Sequence, residues 1–309
     1  MTNMVRWIRF ILFLIIVFSI PFALWKLWVA NTSRVISPIP DTPIVQPTQP
    51  PKSFALFRKK KDPDELLDII NRVIDDTWSD YSIVVEDYTS DFKLLVTEGQ
   101  IYVAASVNKI PILAALYYYA NNGEIDLNRD ITIQANDIQD YGTGSIRYQG
   151  AGSVYSVKTL AKLMIKQSDN TAAYVIANHI VGFPRLKAIV AQWGMTQTDM
   201  VKNTTSNGDI AKLFRMIYEG KITDQAHTQE ILSFLKDTEF ETRLPAKLPD
   251  EATIYHKIGT EVGIIHDAGI VTNGKQTYYI GVFTKGATEG EATDALMADV
   301  SKAVYEYMR

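Results

Sequence analysis

Ser106-Val107-Asn108-Lys109 runs directly into Ile110-Pro111-Ile112-Leu113-Ala114-Ala115-Leu116-Tyr117-Tyr118-Tyr119-Ala120. The second stretch is apolar nearly all round, and a helix without a polar face belongs in the middle of a domain. The polar tetrapeptide therefore sits at the mouth of a buried helix. Ser106 and Lys109 are three residues apart, about one turn, and so share a face. Burial disfavours the charged form of an amine and lowers its pKa. A neutral amine beside a hydroxyl can take its proton and make it nucleophilic, and the amide of Ser106 at the helix start lies where an oxyanion could be held. Pro111 inside this helix is not explained by the pattern. Ser-X-X-Lys alone recurs by chance in long chains; Ala104-Ala105 before it and the buried helix after it give it weight here.

Outward from this helix the chain alternates in character. Leu66, Ile69, Ile70, Val73 and Ile74 recur at helical spacing, and Tyr81 to Tyr88 and Phe92 to Glu98 read as strands around a polar turn at Thr89, Ser90 and Asp91. A long helical section follows. Strand signals return between Ile254 and Lys285 with a hairpin turn at Thr272, Asn273 and Gly274, and Leu296, Val300, Ala303, Val304 and Tyr307 make a closing amphipathic helix. Strands, a helical block, more strands and a final helix predict an α+β fold. One antiparallel sheet is built from both chain ends and flanked by helices, beside an all-helical subdomain.

Composition narrows the function. Of 309 residues, 47% are hydrophobic, ample for a packed core, and Lys+Arg 31 against Asp+Glu 35 leaves a net charge of −4. That balance lacks the basic footprint of a nucleic-acid binder. There is no cysteine, hence no disulfide, thiol nucleophile or cysteine-ligated metal. The four histidines, His179, His227, His256 and His266, show no zinc-binding spacing, so neither metal nor cofactor is expected.

The first residues read apart from the globular domain. Phe10 to Trp25 is almost wholly apolar and Leu27 to Ala30 extends the run past Lys26. About 20 apolar residues span a bilayer as a helix, and Trp7, Trp25 and Trp28 suit its interfaces. The run is longer than a signal-peptide core and ends in bulky residues instead of a small-X-small site, which favours an uncleaved anchor. With Arg6 and Arg9 ahead of it, residues 1–9 form a cytoplasmic stub, 10–30 a transmembrane anchor, 31–61 a Pro-rich and basic linker, and 62–309 the globular domain. That places the domain outside the cytoplasm on a single-pass anchor.

Two more constellations accompany the first. Ser168-Asp169-Asn170 breaks two helical segments, where Asp169 or Asn170 could simply cap the next helix. Alternatively Ser168 shuttles a proton and Asn170 offers an amide to substrate. Lys257-Ile258-Gly259-Thr260 falls on a predicted strand; a lysine on an inner strand is costly unless it meets a negative charge, and Gly259 could let a substrate backbone approach.

In this order the three resemble the Ser-X-X-Lys, Ser-Asp-Asn and Lys-Thr-Gly signature of class A β-lactamases and penicillin-binding proteins. The likeness continues through Asn122 to Leu127, Gly142 to Ile146, Met164 to Ala173 and Asp267 to Val271, essentially all of residues 62–309. The resemblance implies Ser106 as acylated nucleophile, Lys109 as its base, Ser168 as proton relay and Asn170 as holder of the substrate amide. It implies Lys257, Gly259 and Thr260 on the substrate, Lys257 attracting its carboxylate, and the amides of Ser106 and Thr260 as oxyanion hole. Ile258 stands where the family usually has Thr or Ser, and Val262 falls near the place of the family's carboxylate-binding arginine. The Glu-X-X-Leu-Asn segment of class A β-lactamases is absent between Trp193 and Gly208, where Asp199 is the sole carboxylate before Asn207. A missing water-activating base slows deacylation, general bases contributing about 10²–10⁴-fold. The reading that follows is a penicillin-binding D-Ala-D-Ala peptidase acting on peptidoglycan stem peptides, with β-lactams as slowly released acylating agents. The alternatives are a hydrolytic β-lactamase and a non-catalytic peptidoglycan-binding or β-lactam-sensing module. Retention of the nucleophile–base pair weighs against the last.

Overall fold

The computed structural model describes residues 60–287 and 290–309. The expected cytoplasmic stub, the anchor and all but the last two residues of the linker lie outside the described residues. Among the described residues no helix is long and apolar enough to cross a membrane.

Helix α1 (Pro63–Ile74) opens with Asp62 accepting from the Asp64 amide and buries Leu66, Ile70 and Ile74. Strands β1 (Asp80–Asp87) and β2 (Lys93–Val96) pair antiparallel, and short β3 (Ile101–Val103) leads into a 3₁₀ turn, Ala105–Asn108. That turn feeds α2 (Lys109–Asn121), whose residues from Lys109 to Tyr117 are all buried. Pro111 falls in its first turn, where helical amides lack partners anyway, which resolves the oddity of its position. The helical layer continues with β4 (Asp130–Thr132), α3 (Ile146–Gln149), β5 (Val154–Ser156), α4 (Val157–Lys166) and α5 (Asn170–Val175). A π-helical stretch, Ile176–Ile180, extends α5; then come α6 (Phe183–Gln192), β6 (Thr204–Ser206), α7 (Asn207–Tyr218) and α8 (Gln225–Leu235). The chain closes with β7 (Thr253–Glu261), β8 (Ile264–Thr272), β9 (Thr277–Lys285) and α9 (Gly290–Met308).

The main sheet is antiparallel in the order β2-β1-β9-β8-β7, so both chain ends build it as the sequence predicts. Its two faces carry different cores. Ile83, Val85, Tyr278, Ile280 and Val282 pack with Leu66 and Ile70 of α1 and Met297, Val300 and Val304 of α9. Val84, Tyr279 and Phe283, one residue out of step, pack with Leu113, Leu116 and Phe214 of the helical layer. Strict alternation between two buried faces leaves β8 and β9 buried along almost their whole length. Each such aliphatic side chain contributes about 1.5–3 kcal/mol on burial.

Two features escape a sequence reading. Val262 and Gly263 form a two-residue hairpin turn between paired Glu261 and Ile264, with Val262 fully exposed at the tip. The pairs β3–β6 and β4–β5 are three residues a side, too short for alternation to register.

Asn207 ties the helical layer to the sheet. Fully buried, its Nδ2 donates to the Gly281 carbonyl at 2.9 Å and to Ser82, and its Oδ1 accepts from the Tyr279 hydroxyl at 2.7 Å. Asn207→Ala would leave the buried Tyr279 hydroxyl without that acceptor, and is expected to lower the free energy of unfolding by about 1–3 kcal/mol in a denaturant titration. An unchanged midpoint would contradict this role.

Candidate active site

The three constellations meet. The Lys109 Nζ lies 3.0 Å from Ser106 Oγ, 3.0 Å from Ser168 Oγ, 2.6 Å from the Ser168 carbonyl and 2.7 Å from Asn170 Oδ1. Because α2 is apolar all round, this amine is taken nearly out of water, at 3% exposure. Burial, opposed by the Asp169 carboxylate, pushes it down to about 7. The contacts suit a neutral amine. Its two N–H groups can donate to the Ser168 carbonyl and Asn170 Oδ1, which only accept, leaving the lone pair for the Ser106 hydroxyl proton.

A second amine approaches from the sheet. Lys257 Nζ, also buried, contacts Ser168 Oγ at 3.0 Å and the Ile258 carbonyl at 3.0 Å. Burial first, then the nearby Lys109 and Arg243, hold it well below the ordinary lysine range, with Asp267 opposing. One serine hydroxyl thus links both amines. Its backbone is held in the left-handed region, at φ 53°, as is Ala105 before Ser106, at φ 48°. Such conformations in non-glycine residues cost energy and persist where the surroundings enforce them.

The surroundings here are explicit. Asp169 caps α5 by accepting from the Ala172 amide and also accepts from the Ile146 amide, both at 2.9 Å. Gly144, at φ 113°, faces that carboxylate so closely that a Cβ would lie 2.3 Å from it. Thr143 Oγ1 donates to the Ser168 carbonyl, and Asn170 Nδ2 donates to the Tyr141 carbonyl at 2.9 Å. An amide carries two N–H donors, so Asn170 retains one for a ligand.

A cavity of about 700 Å³ opens over Ser106, Lys109, Ser168 and Asn170. Thr260 and Ile258 of β7, the outer strand of the sheet, line it, but Lys257 and Gly259 do not. The part expected of Gly259 therefore changes. A Cβ there would lie 3.0 Å from the Ala104 carbonyl and 3.2 Å from Ala105, so its smallness admits the turn that carries Ser106 and not a substrate backbone. The part expected of Lys257 changes too: its amine is engaged with Ser168 behind the cavity wall.

The cation that lines the cavity is Arg243, which the sequence reading missed. It lies in the irregular segment between α8 and β7 and is 5% exposed. It donates to Thr260 Oγ1 at 2.7 Å and to the carbonyls of Gly259 and His266, and pairs with Asp294 at 2.7 Å. Its guanidinium presents N–H donors in a fixed planar fork, the geometry that suits a carboxylate.

Asp199 stands elsewhere. Its carboxylate accepts from the Val201 and Lys202 amides, it bridges back to Thr204, and it lines a different depression. It is a turn residue, and of the connection 193–206 only Asn203 reaches the cavity, hydrogen-bonded to Asn108. The carboxylates lining the cavity are Glu261, exposed, and Asp294, engaged with Arg243. Tyr141 also lines the cavity, and Ser145 Oγ donates to Gln167 Oε1 to one side of it. His256 and His266 are packed in the sheet; burial lowers His266 to about 4, and although burial opposes it, Asp267 and Glu241 raise His256 to about 9.

Comparison with known proteins points the same way. A sequence profile of the beta-lactamase enzyme family matches residues 65–308. The extended-spectrum beta-lactamase PER-1 of Pseudomonas aeruginosa is 23% identical over 242 residues, covering 69% of this chain and 78% of its own length. The structure of PBP-A superposes with a TM-score of 0.72 at 30% identity, over 79% of this chain and 95% of its own. A mutant of PBP-A held as an acyl-enzyme with penicillin G gives 0.71 at 29%, with the same coverage of 79% and 95%.

The geometry at Ser106 makes a direct prediction about Lys109. With ¹³C at the lysine Cε positions, the resonance lost in Lys109→Met should titrate near pH 7, since burial has lowered the amine to about 7. Titration above pH 10 would show a charged amine and contradict the assignment.

Proposed function

The chain belongs to the beta-lactamase enzyme family, a family of serine hydrolases, and from that premise we propose that it is a tethered acyl-enzyme that acylates readily and deacylates slowly. Ser106 Oγ attacks the carbonyl carbon of a substrate amide while its proton passes to Lys109 Nζ. The oxyanion is held by the amides of Ser106 and Thr260. Ser168 Oγ, 3.0 Å from Lys109 Nζ, takes that proton from Lys109 as it gives its own to the departing nitrogen, the C–N bond breaks, and an ester remains on Ser106. Asn170 holds the acyl-side amide, and Arg243 with Thr260 receives the carboxylate on the leaving-group side. Lys257 acts through Ser168.

The observation that carries this reading is what lines the cavity around the nucleophile. Neither lining carboxylate is placed as a water-activating base would be: Asp294 is bound to Arg243, and Glu261 is exposed beyond Thr260. The nucleophile is surrounded by amides, Asn108, Asn170 and Asn203 among them. Acylation needs no such base, because Lys109 supplies one, whereas hydrolysis of the ester lacks the contribution of about 10²–10⁴-fold that a positioned base makes. A D-Ala-D-Ala stem peptide fits the polarity of the cleft, with its terminal carboxylate at Arg243, and a β-lactam is the same amide strained into a ring. The apolar run from Phe10 to Ala30 and the prolines that follow would hold the domain outside the cytoplasm close to the wall.

Incubation with a labelled penicillin tests this. The expected result is one label per chain, retained through gel filtration and absent in Ser106→Ala. Arg243→Ala should slow labelling roughly 10–100-fold, the loss of a hydrogen bond between charged groups. Release of many equivalents of opened penicillin per chain would instead assign the protein as a hydrolytic β-lactamase.

A further inference from the structure

Arg243 reaches the cavity from a stretch of chain with no helix or strand of its own. The irregular segment between α8 and β7 brings Phe240, Thr242 and Arg243 to the lining. Connecting segments are ordinarily the less fixed parts of a domain, so a guanidinium carried on one needs its backbone held. Asp294, Thr260 and two carbonyls hold the head of the side chain. The backbone on either side of Arg243 is tied instead to a buried imidazole.

Antiparallel register sets His256 of β7 opposite Gly269 and one diagonal step from Asp267 of β8. Gly269 leaves the room, since a Cβ there would lie 2.6 Å from the Cβ of His256. His256 and Asp267 are both fully buried, and Nδ1 of the ring lies 2.8 Å and 3.1 Å from the two oxygens of Asp267. On the other side of the ring, Nε2 lies 3.2 Å from Glu241 Oε1 and 3.4 Å from Thr238 Oγ1. Carboxylate oxygens on both sides are satisfied together only by a ring that carries both protons. Burial opposes that form, yet Asp267 and then Glu241 hold the ring up at about 9.

Both carboxylates also grip the segment. Glu241 Oε1 accepts from the Thr238 amide at 2.6 Å and from the Thr238 hydroxyl at 2.8 Å. Asp267 Oδ2 accepts from the Leu244 amide at 3.1 Å. Arg243 thus sits between two points, residues 241 and 244, that are joined through one imidazole. His256, Asp267 and Glu241 are not among the residues lining the cavity.

We propose that His256, bonded to Asp267 and Glu241, is the positioning residue for Arg243, and that it sets how strongly the cleft holds a substrate carboxylate without meeting the substrate. The proposal rests on the reading of Arg243 as the partner of that carboxylate. Without the ring, Asp267 and Glu241 would face each other across a buried gap, and the segment would shift to bring Glu241 to water. Misplacement of a positioning group by about 1 Å costs up to about 10²-fold in rate.

Benzylpenicillin and its methyl ester, which lacks the anionic carboxylate, separate this role from a general structural one. Second-order rate constants for labelling Ser106, each divided by the compound's own hydroxide-catalysed rate of ring opening, give an acid-to-ester ratio. Arg243→Ala should lower that ratio at least tenfold. His256→Gln should lower it at least threefold, through a higher half-saturating concentration of benzylpenicillin and a limiting acylation rate within twofold of wild type. Glu241→Ala, at a side chain 40% exposed, should do the same from the surface and keeps the test decisive if the buried substitution does not fold. A fall of less than threefold in either folded variant, beside the tenfold fall in Arg243→Ala, would overturn the positioning role alone. A smaller fall in Arg243→Ala would overturn the reading of Arg243 and the proposal with it.

Discussion

Two buried amines brought within 3.0 Å of one serine hydroxyl form the constraint around which this molecule is arranged. Lys109 and Lys257 each lie 3.0 Å from Ser168 Oγ. Two ammonium groups in that position would repel one another while losing their hydration, so burial and proximity push both amines below the ordinary lysine range. Everything needed to impose it is structural. An all-apolar α2 submerges Lys109, the outer strand β7 brings Lys257 in from the sheet, and Asp169 with Gly144 holds Ser168 in a backbone conformation it would otherwise avoid. Arg243 adds to the lowering of the Lys257 amine and presents its guanidinium to the cleft.

That division of charge organises the chemistry. Basicity sits next to the nucleophile, where a proton has to be taken. Fixed charge sits beside Thr260, where an anionic end of a substrate can rest. The opposite wall is apolar or amide. Among the described residues the cleft offers no carboxylate beside Ser106: the connection between α6 and α7 is a compact turn whose one acidic residue, Asp199, is occupied with its own backbone.

The central helix, the sheet from both chain ends and the convergence of Ser106, Lys109, Ser168 and Asn170 were legible in the sequence, because each is announced by local pattern. An apolar run without a polar face dictates burial, and three polar clusters stand out against helical and strand periodicity. Arg243 was not legible. It lies in a segment without periodicity, and its access to the cleft depends on the chain returning beneath β7. Gly259 was legible as a close approach but not as to what approaches; the answer, the Ala104–Ala105 turn, is a contact between distant segments. Lys257 similarly announced itself as a buried cation, while its engagement with Ser168 instead of the open cleft depended on side-chain packing that no spacing encodes.

The most direct measurement is a neutron crystal structure of the deuterated protein at about pH 8, above the lowered value of about 7 for Lys109. The account predicts two deuterons on Lys109 Nζ, directed at the Ser168 carbonyl and Asn170 Oδ1, and a Ser106 O–D directed at the nitrogen lone pair. Three deuterons on that nitrogen, with Ser106 Oγ as acceptor, would contradict it.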